Sequence, residues 1–411
     1  MATVAYTRQK ADSTGNVVQV DAGSRTNRMA FVDNVRIFLT ILVVAHHAGQ
    51  AYGPTGGEWP IFDAQQAPIL GAFFGANAAF FMGLFFLIAG YFTPAAYDHN
   101  CAAGFLKSRF MRLGVPLVLV SLFLFGPVAY MASEQQLSFW DYFFRVYVGQ
   151  LQYEVGRLWF VFHLLVYAIA YALWRQLGRL FRVGERPIAP PSHRTLLLYT
   201  LALAGITFLV RIEYPIDRWV ELLGVIPAEI AHLPQYLSLF IIGIVAYRNN
   251  WLRTMPTGSG MIWLGIGLAS VGLRYAYSGG LNTVIPVPLL ASGGAHLAAL
   301  IWSVWEAFIC VGMCVGLPAL FRERLNSQGR WLRVLSANAY TVYLIHIFVV
   351  VGLQMSIAGI AFPPLVKFAL VTVVGMALSF VLSQVIRSAA SGLAQEWRRV
   401  VHCSKVQGDE L

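Results

Sequence analysis

The stretch VDNVRIFLTILVVAHHAGQAYG, residues 32–53, decides how the chain is read. It is apolar for long enough to cross a bilayer, whose ~30 Å hydrocarbon layer takes ~17–25 helical residues. Yet it carries Arg36 and His47. At ~100° and ~1.5 Å per residue these two share one helix face, about three turns apart. A charged group and a titratable group on one stripe of a membrane helix are costly without a use. His46, the next residue back, points ~100° away, so the two imidazoles cannot serve one cavity equally. In bland terms, Arg36 is a snorkelling anchor and His47 a histidine satisfied inside the bundle.

Outward from this segment the apolar pattern repeats. With 58% hydrophobic and 12% charged residues, the composition excludes an ordinary soluble domain. Charge-poor stretches lie near 35–53, 68–93, 113–132, 158–174, 195–211, 235–247, 261–277, 296–320, 336–355 and 364–386. They predict an all-α polytopic membrane bundle of about ten transmembrane helices. The segment 235–247 is short, and 261–277 carries Arg274 near its end.

A net charge of +10 would suggest nucleic acid in a soluble protein, but here the charge sorts by side. Basic residues gather in 1–36, 107–112, 175–194, 248–253, 322–333 and 387–405. Only Arg145, Arg157, Arg211, Arg218, Arg274 and Lys367 fall to the other side. Both termini are therefore expected in the cytoplasm, with the bilayer as partner and no nucleic acid. The expected organisation is a polar cytoplasmic tail (1–30) without a secretory signal, one transmembrane domain (31–388) and a cytoplasmic C-terminal tail (389–411). The outer connections 133–157 and 212–234 are aromatic and amphipathic, and are expected to lie along the interface as short helices. Four cysteines point to neither a disulfide framework nor a metal site, and no bound cofactor is expected.

Four further places carry chemistry. Arg109 and Arg112, one turn apart with Lys107 beside them, suit phosphate capture, although juxtamembrane residues holding anionic lipid give the same pattern. Glu306, in HLAALIWSVWEAFICVGMCVG (296–316), should face a cavity or a partner. It can orient an imidazole, bind a substrate or pair with a buried arginine. In LSANAYTVYLIHIFVVV (335–351), Asn338, Tyr340, Tyr343 and His346 bring polarity into a span, where interhelical hydrogen bonding is the plain use. RLWFVFHLLVYA (157–168) sets Trp159 and His163 one turn apart, at an entrance or as an interface anchor. Intramembrane arginine, glutamate and histidine equally suit a proton-coupled exporter without group-transfer chemistry.

Taken in order, these segments resemble the acyltransferase 3 family of multi-pass membrane acyltransferases, from about residue 31 to 386. The arginine–ten residues–histidine pattern is met by Arg36 and His47, and not by His46. The FF-x-x-[SA]-G element is Phe85-Phe86-Leu87-Ile88-Ala89-Gly90, with alanine where serine is usual. The R-x-x-R element runs from Arg109 to Arg112, LWF is Leu158-Trp159-Phe160, and Y-L-x-H is Tyr343-Leu344-Ile345-His346. The GVPL after Arg112 and the GYF at Gly90-Tyr91-Phe92 are similar to the branch that succinylates periplasmic glucans.

The resemblance implies transfer of an acetyl or succinyl group from cytoplasmic acyl-CoA, a co-substrate, to a hydroxyl of a surface glycan or other exported acceptor. It also implies a plasma membrane (bacterial inner membrane) location. On that reading His47 is the general base, with Arg36 at the cytoplasmic end of its stripe and Glu306 orienting the imidazole. Arg109, Arg112 and Lys107 would take the donor phosphates, and Trp159, His163, Tyr343 and His346 would meet the acceptor. Asn77, Asn338 and Tyr343 are candidate oxyanion donors.

Overall fold

With no water in the hydrocarbon layer, each spanning segment must satisfy its own backbone, and this chain does so as helices. The computed structural model describes residues 29–54, 59–132, 137–150, 156–178, 187–222, 226–281 and 292–408. The expected N-terminal tail, but for its last two residues, and the middle of the basic connection 175–194 lie outside the described residues.

The helices are α1 (Ala30–Gly49), α2 (Ile69–Ala78), α3 (Phe81–Arg109), α4 (Val115–Val120) and α5 (Gly126–Ala132). Then come α6 (Trp159–Gly178), α7 (His193–Glu213), α8 (Leu233–Arg248) and α9 (Thr257–Ala276). The last three are α10 (Leu297–Arg324), α11 (Arg330–Ser356) and α12 (Pro364–Gly408). The chain is a polytopic helical membrane bundle. Among the described residues, eight helical runs are long and apolar enough to cross a bilayer. One of them, Ile69–Tyr130, holds both the second and third expected spans, because Cys101, at φ 55° and ψ 177°, breaks α3 where the chain reaches the cytoplasmic side. α9 is not among the eight, yet it packs along α10. α12 runs on to Gly408, so the segment expected as a tail from residue 389 begins as helix.

α1 is the axis of the bundle. It touches α2, α3, α10, α11 and α12, and 67% of its span is buried against 22% for α12. Its cytoplasmic end is tied down by Asn34, whose Nδ2 donates to the carbonyls of Leu325 and Ser327 while its Oδ1 accepts from Gln328.

Apolar helices in lipid have no hydrophobic drive to associate, so small residues that allow close approach set the crossings. A Cβ on Gly90 of α3 would stand 2.1 Å from the Phe240 carbonyl oxygen of α8, and one on Gly243 would stand 2.2 Å from that of Leu87. Gly312 of α10 meets Gly267 of α9 in the same way, with 2.7 Å from an added Cβ to the Gly267 Cα. The glycine of the FF-x-x-A-G element is thus a helix-crossing residue.

Pro116 does related work further along. It has no N–H to give the Arg112 carbonyl one turn back, and the Tyr340 hydroxyl of α11 donates to that oxygen at 2.9 Å. The start of the third span is thereby fastened to α11.

One local expectation is overturned. The connection 212–234, read as an interfacial helix, contains an antiparallel hairpin of β1 (Trp219–Leu222) and β2 (Ile226–Glu229), with Trp219 opposite Glu229. The ladder satisfies the backbone, and Glu229 is thereby carried to the buried His232. The other connection is helical over Phe139–Asp141 and Tyr142–Val148, as expected.

Two outcomes follow from this packing. Gly90→Ala should lower stability by about 1–3 kcal/mol through overpacking. Gly205→Ala, where an added Cβ meets nothing within 4 Å, should not. Thermal melting of the two purified variants checks this. On the outer side Asp63 pairs with Lys367. Burial pushes the Asp63 carboxyl up, but the hydrogen bonds from Lys367 and the Gln65 N–H, with the lysine charge, bring it below its ordinary value. A lowered carboxylate stabilises the fold above its unfolded pKa, and that stabilisation is lost as pH falls through the folded value. Lys367→Met should therefore lower the melting temperature near neutral pH, with the deficit shrinking as pH falls through the folded Asp63 value, as read across an acid series.

Candidate active site

Helix α1 borders cavities at two depths, with different residues facing each. On the cytoplasmic side, Arg36 and Thr40 face Arg109, Arg112, Tyr340 and Tyr343 across a cavity of about 370 Å³. Arg36 also lies 3.6 Å from Asp33, and the Arg109 guanidinium stands 5.1 Å from the centre of the Phe105 ring. Three guanidinium groups thus share one basin, a setting that suits a polyanion. Lys107, expected with them, is exposed and does not line it. Ala89 of the FF-x-x-A-G element does line it, and offers no hydroxyl.

Toward the outer side, His46 and Gln50 of α1 line a second cavity, of about 550 Å³, with His232, Arg274, Trp302 and Glu306. The two cavities share no lining residue. Thr40 and His46 are separated by only ~9 Å of helix rise.

His47 and its neighbour His346 line neither cavity. Its Nδ1 is 2.9 Å from Nε2 of His346 on α11. The His346 ring is 1% exposed, and its own Nδ1 lies 2.8 Å from the Tyr343 carbonyl oxygen. A carbonyl can only accept, so Nδ1 of His346 donates to it and Nε2 is left to accept. His47 must then donate from Nδ1, which leaves its Nε2 with a lone pair. The Tyr343 carbonyl, with that of Val342 at 3.2 Å, therefore sets the tautomers of both rings. Trp59 lies nearly parallel to the His47 ring, at 5.6 Å between centroids and 8° between planes. Gln354, a further two turns along α11, accepts from the Trp59 indole at 2.9 Å and donates to the carbonyls of His47 and Ala48. Side chain and backbone of His47 are both held by α11.

Glu306 does not orient this imidazole. Its Oε2 takes the Arg211 guanidinium and its Oε1 takes Nε2 of His232 at 2.8 Å, so both oxygens are engaged elsewhere. Of the three uses read for it from sequence, the pair with a buried arginine is the one found. His232 also lies 2.8 Å from Glu229, linking α7, α8, α10 and the hairpin through one buried network. Burial pushes the Glu229 carboxyl up, but His232, the Asp217 N–H and the charge of Arg211 hold it below its ordinary value.

The other expected residues divide. Tyr343 lines the inner cavity and packs on Phe160 and on the His346 ring. Trp159 and His163 line neither cavity; they belong to an aromatic cluster with Phe86, Tyr236 and Trp219. Asn338 is engaged with Val334, Gln384 and Ser383, which anchor α12. Asn77 is buried, and its Nδ2 has no hydrogen-bond partner among the described residues. Sequence reasoning passed over Gln50, Trp59, Gln354 and the cavity-facing His46. Arg274 left a trace as the charge that weakened the seventh span.

If Glu306 is structural, Glu306→Leu strands Arg211, which is 1% exposed, and should cost about 3–5 kcal/mol. Arg211→Met combined with Glu306→Leu should recover part of that loss, as measured by melting of the purified variants.

A family model described as an acyltransferase domain matches residues 29–384. No curated protein and no solved structure matches the chain.

Proposed function

The chain belongs to the acyltransferase 3 family, and from that membership we propose that it moves an acetyl or succinyl group from cytoplasmic acyl-CoA to an acceptor hydroxyl. The acceptor is an exported or cell-surface glycan or a related molecule, and the membrane is the bacterial inner membrane. The observation that carries the reading is the chain from the Tyr343 carbonyl through His346 to His47, standing beside a cavity with three arginines.

Arg36, Arg109 and Arg112 meet the phosphates of the donor, and the acyl arm extends past Thr40 toward the histidines. Acyl-CoA is consumed as a co-substrate, and no resident cofactor enters the scheme. Nε2 of His47 accepts the hydroxyl proton as the acceptor oxygen attacks the thioester carbonyl. The new C–O bond forms, the C–S bond breaks, and the same proton passes to the leaving sulfur to give free CoA. His346 is a positioning residue. It keeps the lone pair of His47 on Nε2 and accepts the Nδ1 proton throughout.

Purified His47→Ala should lose about 10²–10⁴-fold in acyl-CoA-dependent transfer, the usual worth of a general base. Near-full activity in that variant rules the role out. His346→Leu should lower kcat with little change in KM for acyl-CoA, and His346→Gln, which keeps an acceptor, should recover part of it. Replacing Arg109 and Arg112 by glutamine should chiefly raise that KM. A proton-coupled exporter would move solute while leaving the thioester intact, so release of free CoA in the presence of acceptor separates the two classes.

A further inference from the structure

Arg274 is a guanidinium built into the outer cavity with no acid paired to it among the described residues. It is 7% exposed, and its Nη1 donates to the Ser278 hydroxyl at 2.9 Å. Its Nε has no hydrogen-bond partner among the described residues. The group lies 5.4 Å from the centre of the Trp302 ring and 5.6 Å from that of Trp305, whose indole N–H is fixed on the Ser270 carbonyl at 2.8 Å. Aromatic faces recover only part of what a buried cation loses with its water, and a carboxylate is the usual remedy. The carboxylates facing this cavity do not supply it. Glu306 is taken by Arg211 and His232, and Asp217 is exposed.

Two other features are shaped for a ligand. Gly71, Ala72, Gly75 and Ala78 of α2 line the cavity with small side chains beside Phe74, and an added Cβ on Gly75 would lie 3.6 Å from the Arg274 Nε. Across the same space Gln50, also 7% exposed, carries an Oε1 without a hydrogen-bond donor among the described residues. An anion-seeking N–H and a donor-seeking oxygen, both nine-tenths buried, face one polar chamber on the acceptor's side of His47.

We propose that this cavity binds an anionic saccharide unit of the acceptor, its carboxylate or phosphate on Arg274 and a ring hydroxyl on Gln50. The ligand class rests on this geometry; its role as acceptor rests on the acyltransferase reading above. Acceptors with uncharged sugars only would leave both groups unmet.

The test is isothermal titration of the purified full chain in lipid nanodiscs with glucuronate, glucose 6-phosphate, inorganic phosphate and glucose. One or both anionic sugars should bind, tell carboxylate from phosphate by their relative affinity, and exceed both glucose and inorganic phosphate. R274Q should weaken that binding about 10–100-fold, as expected for loss of a charge-assisted hydrogen bond. R274K should recover part of it, and Q50L should weaken the sugars more than inorganic phosphate. The proposal is overturned if neither anionic sugar binds the wild-type chain better than glucose, or if R274Q binds them unchanged. The wild-type comparison stands even where a variant does not fold. Acyl-CoA titrated into the same wild-type preparation tests the donor reading separately. Its failure beside intact anion binding sinks the transfer reaction, and the converse sinks only this site.

Discussion

The hydrogen bond between His47 and His346 organises the centre of this molecule. It joins the most enclosed helix, α1, to α11, and it is directional because the Tyr343 carbonyl at its far end can only accept. Two neutral imidazoles in series normally leave their tautomers open. Here backbone oxygens of Tyr343 and Val342 close that choice and leave the lone pair of His47 on Nε2. The register between α1 and α11 has to hold for this to work. Asn34 fastens α1 to the connection after α10 at one end, and Gln354 fastens it to α11 at the other.

Around that axis, residues that look like sequence punctuation turn out to be contacts. Gly90 lets α3 and α8 cross with backbone against side-chain-free backbone, and Gly267 with Gly312 does so for α9 and α10. Pro116 leaves the Arg112 carbonyl open to the Tyr340 hydroxyl, so the arginine-bearing turn is fixed to the helix that also carries His346. The arginine-lined basin and the imidazole pair are mechanically one piece.

The intramembrane charges divide into two kinds. Glu306, Arg211, His232 and Glu229 pair among themselves and tie helices to the hairpin. Arg36, Arg109 and Arg112 open onto space, as does Arg274 on the other side of the partition. Paired buried charges hold the fold together. Glu306 and His232 also face the outer cavity, but their charge is spent within that network.

The sequence by itself marked out the apolar helical segments and which side chains share a helical face. Hydrophobic length, the sorting of lysine and arginine and the helical period are all local. They sufficed to set Arg109 with Arg112, which line one basin, and to turn His46 away from the face of His47. What meets a given face depends on which helices become neighbours, and that was decided by tertiary packing. The partner of His47 lies 299 residues away, Glu306 found Arg211 rather than the imidazole, and Lys107 fell outside a basin that its neighbours line. The hairpin at 219–229 was hidden for the same reason, since a short amphipathic piece takes strand or helix according to what it can pair with.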